Sequence, residues 1–270
     1  MTDVDTYIQR LLVFDPLSKP IVCSAIQALK LLPGSRGLDI GCGIGAHTMM
    51  MAEAVGSNGH VTGIDIEPEF IAYAKKAATE SALSDVVSFQ KGNMNKLPFN
   101  DKSFNWTWSS NLVGYSASDP LPPLKEMVRV VNPGGIVALL IYSFQMLLPG
   151  YPLLEAKLNT TSSGIAPFIN GMKPEFHHFR ALSWFRKLDL RDARAQAFVR
   201  TIQAPLSNDI HDAMTALIKM RWVDVKTELG EADWAEYQRL CNPDSPDFIL
   251  NHPDYYAFFT YTLFHGRVSR

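Results

Sequence analysis

The chain has 270 residues, of which 47% are hydrophobic, and carries a net charge of −2 with a pI near 6.4. That length suits one large domain, or one domain with a lid. The charge balance leaves no electrostatic footprint for nucleic acid: Arg186, Lys187, Arg191, Arg194 and Arg200 are interleaved with Asp189 and Asp192, as on a solvated helical face.

In chain order, residues 5–31 read as helical, with apolar residues at Ile8, Leu11 and Leu12, then at Ile21, Val22, Ala25, Ile26 and Leu29. Pro16 and Pro20 predict a split into two helices. An alternation of strand and helix follows, the mark of a parallel sheet. Strands are expected at 37–41, 60–65, 86–89, 104–108 and 136–142. Helices are expected at 45–55, from Pro68 onward, and at 124–131, the last stopped by Asn132-Pro133-Gly134-Gly135. The run 136–142 is continuously apolar, which predicts burial on both faces. Residues 144–187, rich in proline and glycine, read as loop with short helices. A strand at 194–203, helix over 207–240 and a closing strand at 256–264 complete the chain.

Cys23, Cys42 and Cys241 lack the spacing of a metal site or a disulfide framework, so reduced thiols, a cytoplasmic location and no metal are expected. No stretch reads as the ~20 apolar residues of a membrane helix. The acidic start, Met1-Thr2-Asp3-Val4-Asp5, has no apolar signal core behind it.

The most informative stretch is Leu38-Asp39-Ile40-Gly41-Cys42-Gly43-Ile44-Gly45, followed by Gly63-Ile64-Asp65. It reads as strand, glycine turn and helix, then a second strand ending on an acid, which is a nucleoside-binding arrangement. Glycines let the backbone approach a ligand, and a helix start offers unpaired N–H groups. Asp65 is placed to grip a ribose. Gly41-x-Gly43-x-x-Ala46 also fits a dinucleotide pattern, which keeps an NAD-dependent oxidoreductase open. Asp39 argues for S-adenosylmethionine instead, because its carboxylate would repel a pyrophosphate and attract an ammonium and a sulfonium.

Five local motifs in order resemble class I S-adenosylmethionine-dependent methyltransferases, and more closely the branch with the ubiquinone and menaquinone C-methyltransferases. They are Leu38 to Gly45; Gly63-Ile64-Asp65-Ile66; Gly92-Asn93-Met94-Asn95-Lys96-Leu97-Pro98-Phe99; Ser103-Phe104-Asn105, leading to Ser109; and Val128-Arg129-Val130-Val131-Asn132-Pro133-Gly134-Gly135. Asn93 and Asn105 stand where the family usually has Asp. The resemblance implies an α/β fold with a Rossmann-like sheet, mostly parallel with an antiparallel last strand, helices on both faces and a mainly helical cap. N-terminal helices would occupy 1–35, the core 36–143, 194–203 and 255–270, and the cap 144–193 and 204–254. It implies S-adenosyl-L-methionine as cofactor, S-adenosyl-L-homocysteine as product, and a small-molecule methyl acceptor, with neither nucleic acid nor membrane insertion. It assigns cofactor contacts to Asp39, Gly41, Cys42, Gly43, Gly45, Asp65, Ile66, Asn93, Met94 and Ser109. At Asn93, a carbonyl oxygen can still accept from an adenine amino group.

Several of these residues also have a packing reading. Asp39 can cap the glycine loop, and Asp65 can cap the helix beginning at Pro68. Tyr7 is a lid residue or a packing residue. His177, His178 and Tyr115 are the catalytic candidates. Against the histidines, adjacent residues do not share a helix face, so one is expected to pack and the other to be solvated. His47 near a helix start is disfavoured as a cation and packs. Tyr115, Tyr142, Tyr151, Trp184, Tyr255 and Tyr256 are shared between pocket and core. A non-catalytic S-adenosylmethionine-binding module remains the second alternative.

Overall fold

The computed structural model describes residues 3–115, 118–168 and 172–269. Among them, seven strands form one sheet in the order β3-β2-β1-β4-β5-β7-β6. The strands are β1 (Arg36–Ile40), β2 (His60–Asp65), β3 (Val87–Lys91), β4 (Phe104–Ser110), β5 (Val131–Met146), β6 (Arg191–Gln203) and β7 (Tyr256–Arg267). Strands β1 to β5 pair in parallel, while β7 runs antiparallel to both β5 and β6. β1 is flanked by β2 on one side and β4 on the other. That reversal of strand order is where open α/β sheets bind ligands, beyond the carboxyl ends of the strands.

Both faces of the sheet are covered. Helices α1 (Asp3–Leu29), α2 (Ala46–Val55) and α3 (Pro68–Glu80) share one cluster with Trp106, Ala138 and Leu140. Helix α4 (Leu121–Val130) packs on the other face with Leu38, Val137, Leu139 and Ile141. Alternate β5 side chains thus enter opposite cores, which is why 136–142 reads as an unbroken apolar run. The two segments assigned to a cap share these cores. Trp184 and Phe185 of α7 (Ala181–Lys187) join the α4 face. Leu154 and Leu158 of α5 (Pro152–Asn159), beyond which lies the single turn α6 (Ser162–Ile165), join the α1 face. So do Met214 and Leu217 of α8 (Asn208–Arg221) and Leu240 of α9 (Glu231–Cys241).

Three expectations are corrected. First, Pro16 and Pro20 lie inside one continuous helix. Each interior proline costs about 3 kcal/mol. The unbroken axis keeps Leu17, Ile21, Val22, Ile26 and Leu29 buried on one stripe, each worth about 1.5–3 kcal/mol. The stripe outweighs the prolines. Second, Val4–Leu29 is long and apolar enough to cross a membrane by length and composition, contrary to the sequence reading. In this fold that helix packs its C-terminal half on the sheet. Third, Asn132 to Gly135 belong to β5 as an irregularity: Phe104 pairs with Val131, and Trp106 with Ile136.

Arg129 explains why two of the sequence motifs occur together. Its guanidinium donates to the carbonyls of Leu97 and Phe99 at 3.2 and 2.8 Å and pairs with Glu126 and Asp101. The Arg of the last motif therefore fastens the loop of the third. Asn105 is structural as well, accepting the Arg36 N–H at 2.7 Å.

Candidate active site

A cavity of about 780 Å³ opens at the carboxyl ends of β1, β2, β4 and β5, roofed by α1 and α8. Its floor at one end is the glycine loop. The Gly41 and Cys42 N–H groups both donate to the Ile64 carbonyl at 2.9 Å, tying the loop to β2. Gly41, Gly43 and Gly45 have φ of 74°, 51° and 84°, a region that side chains disfavour. The three serve different ends. A Cβ at Gly41 would lie 2.2 Å from Leu112 and one at Gly45 2.8 Å from Phe89, so both answer to packing. A Cβ at Gly43 would meet only Leu11, at 3.6 Å, so that position opens toward the cavity.

Of the predicted cofactor residues, Gly41, Cys42, Gly43, Asp65, Ile66, Asn93 and Met94 line this cavity. Asp65 holds the loop: its carboxylate accepts the Gly43 N–H at 3.0 Å through Oδ2 and the Glu67 N–H at 3.0 Å through Oδ1. Asn93 accepts the Asn95 N–H at 2.9 Å through its side-chain oxygen. Burial pushes the Cys42 thiol up, so it stays protonated. Tyr7 stacks on Phe70 with ring centres 5.5 Å apart, and both face the cavity.

The remaining predicted residues stand elsewhere. Asp39 is 1% exposed and accepts the Thr48 hydroxyl at 2.7 Å, so it braces the first turn of α2 from behind the loop. Burial raises its pKa to about 7 against the lowering effect of that hydrogen bond. The loop N–H group expected to be held by Asp39 is held by Asp65 instead. Gly45 is packed under Phe89 and Ala74. Ser109 is buried and donates to the Ile40 carbonyl at 3.0 Å; its neighbours Ser110 and Asn111 line the cavity in its place. His177 and His178 lie outside the cavity lining, stacked on each other at 4.4 Å. His178 is buried, and that burial lowers its pKa to about 4. Trp184 and Tyr255 are core, Tyr256 is exposed, and Tyr151 pairs with Arg239.

The other end of the cavity is an aromatic wall. Tyr142 stacks on Phe259 at 6.0 Å and meets Tyr261 edge-on at 5.3 Å. Tyr115 stacks on His178 at 6.3 Å. Desolvation raises the pKa of all three tyrosines, Tyr261 to about 12, so each phenol keeps its proton. His47 also faces the cavity, edge-on to Trp108, and burial holds it neutral with a pKa lowered to about 4. Sequence reasoning missed Phe70, Asn111, Phe259, Tyr261 and Arg221. Period-2 alternation along the last strand pairs Phe259 with Tyr261 on one face; nothing local marks Arg221.

Comparison with known proteins agrees with this architecture. A family model described as a methyltransferase domain matches residues 31–167. The chain belongs to that family. Its fold is that of a class I S-adenosylmethionine-dependent methyltransferase, and S-adenosylmethionine is the cofactor of that class. Among curated proteins, the demethylmenaquinone methyltransferase of Bacillus cytotoxicus is 36% identical over 115 residues, 42% of this chain and 46% of that protein. That of Lysinibacillus sphaericus is 37% identical over 129 residues, 47% of this chain and 52% of that protein. The matched part is thus about half the length of these relatives. Among solved structures, the YcgJ protein of Bacillus subtilis superposes with a TM-score of 0.54 at 18% identity, covering 92% of this chain and 98% of that one. The cyclase SpnF superposes at 0.52 with 18% identity, covering 94% and 82%. These likenesses show the fold, and a cyclase among them illustrates that this fold does not dictate the reaction.

Proposed function

We propose that this methyltransferase transfers a methyl group from S-adenosylmethionine to a small, planar, largely apolar organic acceptor. The observation that carries this reading is a single cavity joining the glycine loop to the aromatic wall. Its volume of about 780 Å³ is in the range of ligand sites. The cofactor fits on two further counts: the side of Gly43 that a Cβ would fill is open, and Asp65 keeps lone pairs beyond its two loop hydrogen bonds. Bound there, the cofactor supplies an electrophilic methyl group on sulfur.

The chain's residues do the rest. Gly41, Cys42 and Gly43 present backbone to the cofactor, and Asp65 accepts from the ribose hydroxyls. Ile66 and Met94 flank the adenine, and the free lone pair of the Asn93 carbonyl accepts its amino group. Tyr7, on Phe70, closes this end from α1. Asp39, Gly45 and Ser109 support the loop without touching the ligand. At the far end Tyr142, Phe259 and Tyr261 offer flat faces to an acceptor. The relatives are named for demethylmenaquinone, and this wall supports a planar acceptor of that general kind. The phenols keep their protons, and His47, at about 4, is too weakly basic to be matched to neutral pH. Alignment and exclusion of water therefore carry the rate. The three cysteines are free thiols, which supports a reducing, cytoplasmic setting.

A thermal shift assay tests the cofactor half. At a hundred times its dissociation constant a native-state ligand adds about 2.7 kcal/mol, roughly 5–10 °C for a chain of this size. S-adenosylmethionine and S-adenosylhomocysteine should both give that shift and NADH none. The reverse pattern overturns the reading.

A further inference from the structure

One charge at the aromatic end has no partner of opposite sign among the described residues. Arg221 ends α8, in the segment between β6 and β7, and its side chain lines the cavity. One terminal nitrogen, Nη2, donates to the Gly164 carbonyl at 2.6 Å. Among the described residues its Nε is buried without an acceptor. Among the described residues no carboxylate forms an ion pair with it. The cavity's own carboxylates are Asp15 on α1 and Asp65 at the end of β2. The guanidinium acts on two neighbouring phenols, Tyr115 and Tyr142, offsetting part of their desolvation.

The placement is specific. Tyr142 stands on β5 and Asp65 on β2, and β1 and β4 lie between them. Three strand spacings put those strands about 14 Å apart. Arg221 therefore belongs to the acceptor end. A half-buried cation beside protonated phenols is costly unless something supplies the counter-charge, and the open space before it is where a ligand sits. A guanidinium is also the cation best shaped to bind a carboxylate through two hydrogen bonds.

We infer that Arg221 recognises an ionised oxygen, a carboxylate or an acidic phenol, carried by the planar methyl acceptor. This rests on the methyl-transfer reading of the cavity and adds the acceptor's charge to it. It makes Arg221 a specificity residue, and it predicts that acidic aromatic compounds bind better than neutral ones of the same shape.

The test uses the full chain saturated with S-adenosylhomocysteine, titrated calorimetrically with hydroxynaphthoates and with the matching hydroxynaphthamides. The wild type should bind the acids at least ten-fold more tightly. Arg221→Met should bring that ratio close to one by weakening the acids alone. Arg221→Lys, which keeps the charge and a donor to Gly164, should keep part of the preference, and it guards against a methionine variant that does not fold. S-adenosylmethionine affinity should stay within two-fold in both variants. Equal binding of acids and amides by the wild type overturns the inference. So does a large loss of S-adenosylmethionine affinity in both variants, which would assign the guanidinium to the cofactor's own carboxylate. A wild type that binds no S-adenosylmethionine removes the reading beneath it.

Discussion

The two ends of the cavity are built differently. The proposed cofactor end comes mainly from consecutive strand–loop units between residues 40 and 95, and backbone groups fix it: two N–H groups on the Ile64 carbonyl and one on Asp65. The proposed acceptor end is assembled from side chains distant in sequence, Tyr115, Tyr142, Arg221, Phe259 and Tyr261, brought together by the sheet order and by α8. A backbone site demands particular residues at particular spacings, because glycine adopts its positive-φ angles far more readily than other residues. A side-chain site demands only that something of the right shape arrive. The first can be recognised across a family, and the second is free to differ between members.

The sharpest way to break this comparison is at the glycines. Gly43→Val should abolish measurable S-adenosylmethionine binding, since the side chain would project into the cavity, while the chain still folds. Gly45→Val should do the opposite kind of damage. Its Cβ would sit 2.9 Å from Ala74 and 2.8 Å from Phe89, so stability should fall by several kcal/mol. Calorimetric titration and denaturant unfolding on both variants separate the two roles. A Gly43→Val protein with unchanged affinity would mean that the loop does not face the ligand.

Asp65→Ala is the next largest effect. It removes an acceptor from the Gly43 and Glu67 N–H groups and from the proposed ribose contact. A lost polar partner costs about 1–3 kcal/mol, which is roughly a five- to 150-fold loss of S-adenosylmethionine affinity. Asp65→Asn keeps an acceptor for the loop and should lose less. If both variants bind the cofactor normally, Asp65 is only a brace.

The same contrast explains what could be read in advance. The strands of the sheet, the glycine turn and the place of Asp65 at the cavity are legible because each is a local pattern: apolar runs, closely spaced glycines, an acid at a strand end. The continuity of α1 is not, since two prolines forbid locally what burial of Leu17 to Leu29 enforces globally. Asp39 is the instructive case. In the sequence its charge favours a cationic nucleoside over a pyrophosphate. In the fold it lies behind the loop, bonded to Thr48, with its pKa raised to about 7. The motifs together, and the family model over residues 31–167, mark the family, and the charge of that one residue adds nothing to them. Arg221 shows the converse, a residue with no local pattern around it that only the folded cavity makes conspicuous.

The smallest expected effect reads Asp39 through pH. A carboxyl whose pKa is near 3.8 unfolded and about 7 folded binds more protons in the native state between those values. Its contribution to stability is therefore complete below about pH 4 and is lost as pH rises through 7. His47 and His178, both lowered to about 4, work in the opposite sense: stability falls as pH drops from 6.5 toward 4. The wild-type profile mixes the two, so the difference from Asp39→Asn isolates the carboxyl. Asparagine can still accept from Thr48 but does not ionise. The stability of Asp39→Asn relative to wild type should rise steadily from pH 4 to 8 in urea unfolding, while S-adenosylmethionine affinity at pH 6 changes little. A flat difference would mean that Asp39 is ionised in the folded chain at neutral pH. A large affinity loss would return it to the cofactor's first contacts and make the two ends of the cavity less unlike than they look.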